Sequence, residues 1–173
     1  MRIYLQLADL LEYPSEGLLD LLQTLVAGDG ASDERLAFLK DFQKNISPLR
    51  LSALQELYTA TFEIQSTTSL DIGFHLFGEA YKRGAFMAKL KATQNALHML
   101  PGSELPDHLT QMLRLLAQLQ PVQAAPLIEE CLLPGLVSIL AGLESVQHPY
   151  RVFFEGLKKM LVAQKKALEV VHA

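Results

Sequence analysis

The sequence predicts an all-α fold, and three of its features carry that prediction. Leucine recurs throughout while β-branched residues are sparse, a balance that favours helix over sheet. Apolar residues return at three- and four-residue spacing, between prolines and glycines that divide the chain into pieces of helix length. Half of the 173 residues are apolar, and neither an internal repeat nor a low-complexity tract interrupts them. A single helical domain spanning residues 1–173, a bundle of about eight or nine helices, is the economical architecture.

Leu7, Leu10 and Leu11 line one side of a first helix, which must stop before Pro14 because the residue preceding proline is driven out of the α region. Ser15 caps the second, whose stripe is Leu18, Leu19, Leu22 and Val26 and whose end is Gly28-Asp29-Gly30. Ser32, Asp33 and Glu34 restart the pattern for Leu36, Leu39, Phe42 and Ile46. Ser47-Pro48 then supplies a cap and a proline at the first position of a fourth helix, carrying Leu51, Leu54, Tyr58, Thr61 and Phe62. Gln65-Ser66-Thr67-Thr68-Ser69 is a loop, since its side chains compete for backbone hydrogen bonds. Residues 70–100 read as one helix, with Gly73, Gly78 and Gly84 inside it marking close packing or a bend, and Pro101-Gly102 closes it. Further helices are expected over about 106–119, 121–133, 134–146 and from His148-Pro149 onward. The last sets Phe153, Leu157, Met160, Leu161 and Leu168 on one stripe and its lysines largely off it.

Composition narrows the function. A net charge of −4 and a pI near 5.7 provide no general positive field for a phosphate backbone, so no nucleic-acid partner is expected. The lysine and arginine clusters read as solvated helix faces. Cys131 is alone, which rules out an intrachain disulfide and fits a reducing compartment. The N-terminus shows no basic start followed by a small-residue cleavage site, and the uncharged stretch 131–143 falls short of the roughly 20 residues needed to cross a bilayer. A soluble, cytoplasmic protein without stable membrane insertion is expected.

Chemistry-bearing patterns are missing. His75, His98, His108, His148 and His172 form no i, i+4 pair and no H-E-x-x-H, so no metal is expected. There is no nucleophile elbow, no phosphate loop and no dinucleotide fingerprint, and Cys131 has no base beside it; no catalytic residue, no cofactor and no enzyme activity are expected. Binding another chain remains. An apolar groove rimmed by acids would take a segment carrying apolar and basic residues, burial giving affinity and rim charge giving orientation. The rival readings are a helical ligand-binding or regulatory domain with a closed apolar pocket, and a helical enzyme or metal protein.

Two segments sharpen this. His75-Leu76-Phe77-Gly78-Glu79-Ala80-Tyr81-Lys82-Arg83-Gly84 crowds a histidine, charges and glycines into one stretch; Glu104-Leu105-Pro106-Asp107-His108-Leu109 is a break and a restart. With Leu10-Leu11-Glu12-Tyr13-Pro14 and Tyr58-Thr59-Ala60-Thr61-Phe62-Glu63 before them, in this order and spacing, they resemble the nitrate-reductase delta-subunit branch of the redox-enzyme maturation chaperones, within the TorD/DmsD-like group. That resemblance implies a TorD-like, all-helical cytoplasmic chaperone. It would bind the precursor of a catalytic molybdopterin subunit, often at its N-terminal segment, until the molybdenum cofactor is inserted and before membrane attachment or export. Carried over position by position, Tyr58, Phe62 and Glu63 become part of the groove wall, His75, Gly78, Glu79, Arg83 and Gly84 a polar helix face, and Leu105, Pro106, Asp107 and His108 the hinge region. Simpler roles stand beside these: Phe62 as a core aromatic, Asp107 as a helix cap, Glu79 and Arg83 as an i, i+4 pair. Phe77, Glu63 and Thr110 replace the histidine, aspartate and proline usual in the branch, which leaves the client open. Long hinge loops would also let two copies exchange helices as a homodimer.

Overall fold

The computed structural model describes residues 2–28, 34–143 and 148–171. Among the described residues there are ten α-helices, two of them continuous with each other, and no strand beyond one backbone bridge between Asp71 and His108. Asp29, Gly30, Ser32, Asp33, Val146 and His172, to which the sequence assigns turn, cap or helix positions, lie outside the described residues.

Most of the amphipathic stripes fall where the spacing puts them, but α1 ends at Asp9, so Leu10 and Leu11 are buried in the turn after it, and α2 buries Leu25 where the spacing puts Val26. Helix α1 (Arg2–Asp9) buries Tyr4, Leu7 and Ala8 and packs on α7 (Leu109–Leu116), where Arg114 ties the two by pairing with Asp9 at 2.7 Å and Glu12 at 2.8 Å. Ser15 caps α2 (Glu16–Ala27), its hydroxyl accepting the Leu18 N–H at 3.2 Å. Helix α3 (Phe38–Ile46) buries Leu39, Phe42 and Ile46 against α10 (Arg151–Val171). The expected cap at Ser47-Pro48 does not form. The Ser47 hydroxyl donates backward to the Gln43 carbonyl, and α4 (Leu51–Tyr58) starts behind Arg50, whose extended backbone is its cap.

Two breaks were misplaced by the periodicity. Residues 70–100 are two helices, α5 (Ile72–Phe77) and α6 (Tyr81–Ala96), parted at Gly78, whose φ of 63° is open to glycine and strained for other residues. Conversely, Pro134 does not divide its region. Residues Pro121–Gly142 run as one helix through α8 (Pro121–Pro126), a π-turn (Leu127–Leu132) and α9 (Leu133–Gly142). The widened turn, in which the Leu133 N–H reaches the Ile128 carbonyl, lies directly before the proline, where an ordinary turn would bring a carbonyl against its ring. This helix is long and apolar enough to cross a bilayer by composition alone, but Ile128, Leu132, Leu136 and Ile139 are buried in the bundle.

The core is aromatic at its centre. Phe42 meets Phe153 and Tyr150 at 5.2 Å between ring centroids, and Phe62 reaches Tyr150 at 4.9 Å. Arg151 closes one exposed end by donating to the Leu140 and Leu143 carbonyls at the C-terminus of α9. Phe42→Ala removes the ring shared by α3 and α10 and is expected to cost about 3 to 5 kcal/mol, read as a lowered midpoint in denaturant unfolding.

Candidate functional site

Helix α4 does not end in a normal turn. Residues Thr59–Glu63 continue it as a π-turn closed by the Ile64 N–H on the Thr59 carbonyl at 3.1 Å, and the extra residue re-aims Phe62 inward while leaving Glu63 exposed. Thr68, in the short turn that follows, donates its hydroxyl to the Thr61 carbonyl and folds the polar loop back on the π-turn. The chain then reaches Ser69, whose hydroxyl accepts the Asp71 N–H at 3.1 Å and whose carbonyl accepts from His75 Nε2 at 2.7 Å. His75 therefore holds the loop that precedes its own helix.

Across from this segment lies the restart before α7. Backbone bonds bridge the two, Ile72 N–H to the Asp107 carbonyl at 2.9 Å and Leu109 N–H to the Leu70 carbonyl at 2.8 Å. Asp107 is fully buried, and its Oδ2 accepts from Arg83 Nε at 2.8 Å; Arg83 Nη2 lies 2.9 Å from Asp71 Oδ2. Asp71 and Arg83 are twelve residues apart, which a continuous helix would spread over about 18 Å. The break at Gly78 is what allows the contact. Hydrogen bonding to Asp107 raises the already high pKa of Arg83 against the opposing effect of burial. Gly73 faces the same carboxylate, and any β-carbon there would overlap it.

These segments enclose a cleft of about 380 Å³. Tyr58, Phe62 and Phe74 form its aromatic walls, Glu63, Asp71 and Glu104 its acids, and His108 one side. Ile64 is exposed in its lining, Leu105 is exposed next to Glu104 in the chain, and the exposed Tyr13 packs edge-on against Tyr58 at 5.6 Å. The Tyr58 hydroxyl donates to the Leu11 carbonyl at 2.9 Å, and burial pushes its pKa far above the usual phenol range. His108 is the cap of α7: Nδ1 accepts from the Thr110 N–H at 3.4 Å and meets the Thr110 hydroxyl at 2.8 Å. Burial lowers the His108 pKa, with Glu104 and Asp71 pulling the other way.

Several sequence expectations change here. Asp107 does not cap a helix; His108 does. Arg83 pairs with Asp107 and Asp71 in place of Glu79, which is exposed before α6. Gly84 is exposed with open space around it, so no close packing requires a glycine there. The acid-rimmed cleft has a mainly polar exposed lining, while a separate groove of about 480 Å³ between α6 and the π-turn of the long helix is apolar, lined by Phe77, Phe86, Leu115 and Leu127. Cys131 borders that second groove, its thiol pushed up to about 11 by burial. Tyr58, Phe62, Glu63 and His108 line the first cleft together; Arg83, Leu105, Pro106 and Asp107 are not part of its lining. Asp71, Phe74 and Ile64 carry no signal in the sequence that sets them apart. Among the described residues no three histidine, cysteine, aspartate or glutamate side chains gather as a metal site.

Two outcomes follow from this geometry. Gly73→Ala is expected to lose about 1 to 3 kcal/mol of stability by forcing Asp107 off Arg83, read as a drop in Tm. A histidine held neutral by burial takes up a proton more readily once unfolded, so stability should fall as pH drops from about 7.5 to about 5.5. His108→Asn, which keeps a capping oxygen and removes the titration, should flatten that profile of Tm against pH, leaving the part due to the half-buried His148, whose pKa burial also lowers.

No family model matches the sequence. The nitrate reductase molybdenum cofactor assembly chaperone NarJ of Escherichia coli K12 is 31% identical over 157 residues, which are 87% of this chain and 66% of that protein, and the O157:H7 protein matches equally. The chain thus spans just under two thirds of the length of these relatives. A crystal structure described as that of a redox enzyme maturation protein from Archaeoglobus fulgidus has the same fold, with a TM-score of 0.66, 23% identity and 93% of each chain covered. These proteins are named for assembly and maturation, not for catalysis. Over 87% of its length the chain is thus similar in sequence to the NarJ assembly chaperones, and it shares the helical fold of the Archaeoglobus fulgidus protein.

Proposed function

We propose that the protein binds the immature catalytic subunit of a molybdenum oxidoreductase such as nitrate reductase, in the cytoplasm, at an N-terminal segment, and keeps it open to cofactor insertion before membrane attachment or export. The acid-rimmed cleft is the observation that carries this reading. Glu63, Asp71 and Glu104 come from three separate stretches of chain and converge on an aromatic wall, which suits a polypeptide with cationic and apolar side chains. Ile64 is 75% exposed and Leu105 49%, and covering such side chains contributes up to about 1.5 to 3 kcal/mol each before the entropy of ordering the partner is subtracted. The described helices share one hydrophobic core, which supports treating residues 1–173 as one working unit.

Calorimetric titration of the intact chain with the N-terminal peptide of its catalytic subunit, and with the cofactor-free subunit, tests the proposal. Binding is expected to both. Glu63→Lys and Glu104→Lys should each weaken it about tenfold at low salt while leaving Tm unchanged, since both residues are exposed. Wild-type protein that binds neither the peptide nor the subunit would contradict the proposal.

A further inference from the structure

We infer that Asp71, and not Asp107, is the carboxylate that meets a cationic side chain of the bound polypeptide, and that Asp107 acts on it from behind through Arg83. This rests on the cleft reading above. Asp107 is out of reach: it has no exposed surface, Oδ2 is taken by Arg83 Nε at 2.8 Å, and its own carbonyl and the Leu109 N–H are bonded to Ile72 and Leu70. An incoming side chain would have to open the hinge to touch it.

Asp71 is placed differently. It stands at the N-cap position of α5, where a carboxylate ordinarily accepts an N–H from the first turn, yet its side chain makes no such bond. The carboxylate turns instead toward the cleft, 27% exposed, with Oδ2 held 2.9 Å from Arg83 Nη2. That contact is close enough for strong attraction but is not aligned as a hydrogen bond, so Nη2 has no hydrogen-bond partner. Arg83 itself is fixed on two sides, by Nε on Asp107 and by the Phe74 ring 5.9 Å from its guanidinium carbon. One guanidinium therefore serves two carboxylates, and the excess negative charge resides on the exposed one. Asp107 commits Arg83 to the interior; Arg83 holds Asp71 away from its own helix end; Asp71 keeps its hydrogen-bonding capacity for a guest.

The test is a cycle between protein and peptide, using the client N-terminal peptide with its arginines intact and a twin in which citrulline, a neutral isostere, replaces them. Asp71→Asn should weaken the arginine peptide about tenfold or more, leave the citrulline twin unchanged, lessen the salt dependence of binding and lower Tm less than Asp107→Asn does. Asp107→Asn frees Arg83 to neutralise Asp71, so it should weaken the arginine peptide as well, lower Tm, and have no further effect on affinity when Asp71 is already Asn. If Asp107→Asn fails to fold, the Asp71→Asn cycle decides alone. An arginine preference of the same size in Asp71→Asn as in wild type, or a wild type that binds the two peptides alike, would overturn the inference. Binding of neither peptide by wild type would overturn the cleft reading itself, and this inference with it.

Discussion

The buried contact between Arg83 and Asp107 is the constraint from which the rest of the site follows. A carboxylate with no exposed surface is costly to desolvate, and it is tolerable here because a guanidinium is delivered to it at hydrogen-bonding distance. That delivery requires the helix to break at Gly78, so that α6 can lie along α5. It also requires Gly73, the position where a side chain would collide with the carboxylate. The two backbone bonds between residues 70–72 and 107–109 then fix the approach from the other direction. Removing Arg83 would strand the Asp107 charge in the interior at a cost of about 3 to 5 kcal/mol, a large share of the stability of a domain this size.

The cleft is a by-product of that clasp. Pinning the restart of α7 to the start of α5 brings Glu104 and His108 up to Asp71, and the π-turn after α4 supplies Phe62 and Glu63 from the third side. Irregular helix at this point is consistent with a site, since the π-turn gives up regular bonding to redirect two adjacent side chains, one to the core and one to solvent. The result is polar where acids line it and apolar only at its walls and shoulders. Apolar burial can hold a guest there, while the acids determine which end of the guest enters.

Much of the architecture is legible in the sequence because the stripes of α1, α2, α3 and α10 are set by burial alone, and burial follows period. Ser15 is legible for a local reason, an oxygen three residues before a waiting N–H. The failures are equally physical. Gly78 and Gly84 look alike in the sequence, but one takes a left-handed turn and the other has empty space beside it, a difference made by tertiary contacts. Pro134 looks like a stop, yet a π-turn before it lets the helix continue. At the site, Tyr58, Phe62, Glu63 and His108 stand out through their motifs. Asp71 does not, because its importance comes from Arg83 and Asp107, which lie 12 and 36 positions further along the chain.

Hydrogen–deuterium exchange on the intact protein, alone and with the cofactor-free catalytic subunit, tests the central claim most directly. Capture of an immature chain in the acid-rimmed cleft predicts new protection in residues 59–71 and 104–110, with α3 and the outer face of α10 unchanged. Unaltered exchange in both cleft segments, alongside protection elsewhere on a stable complex, would contradict it.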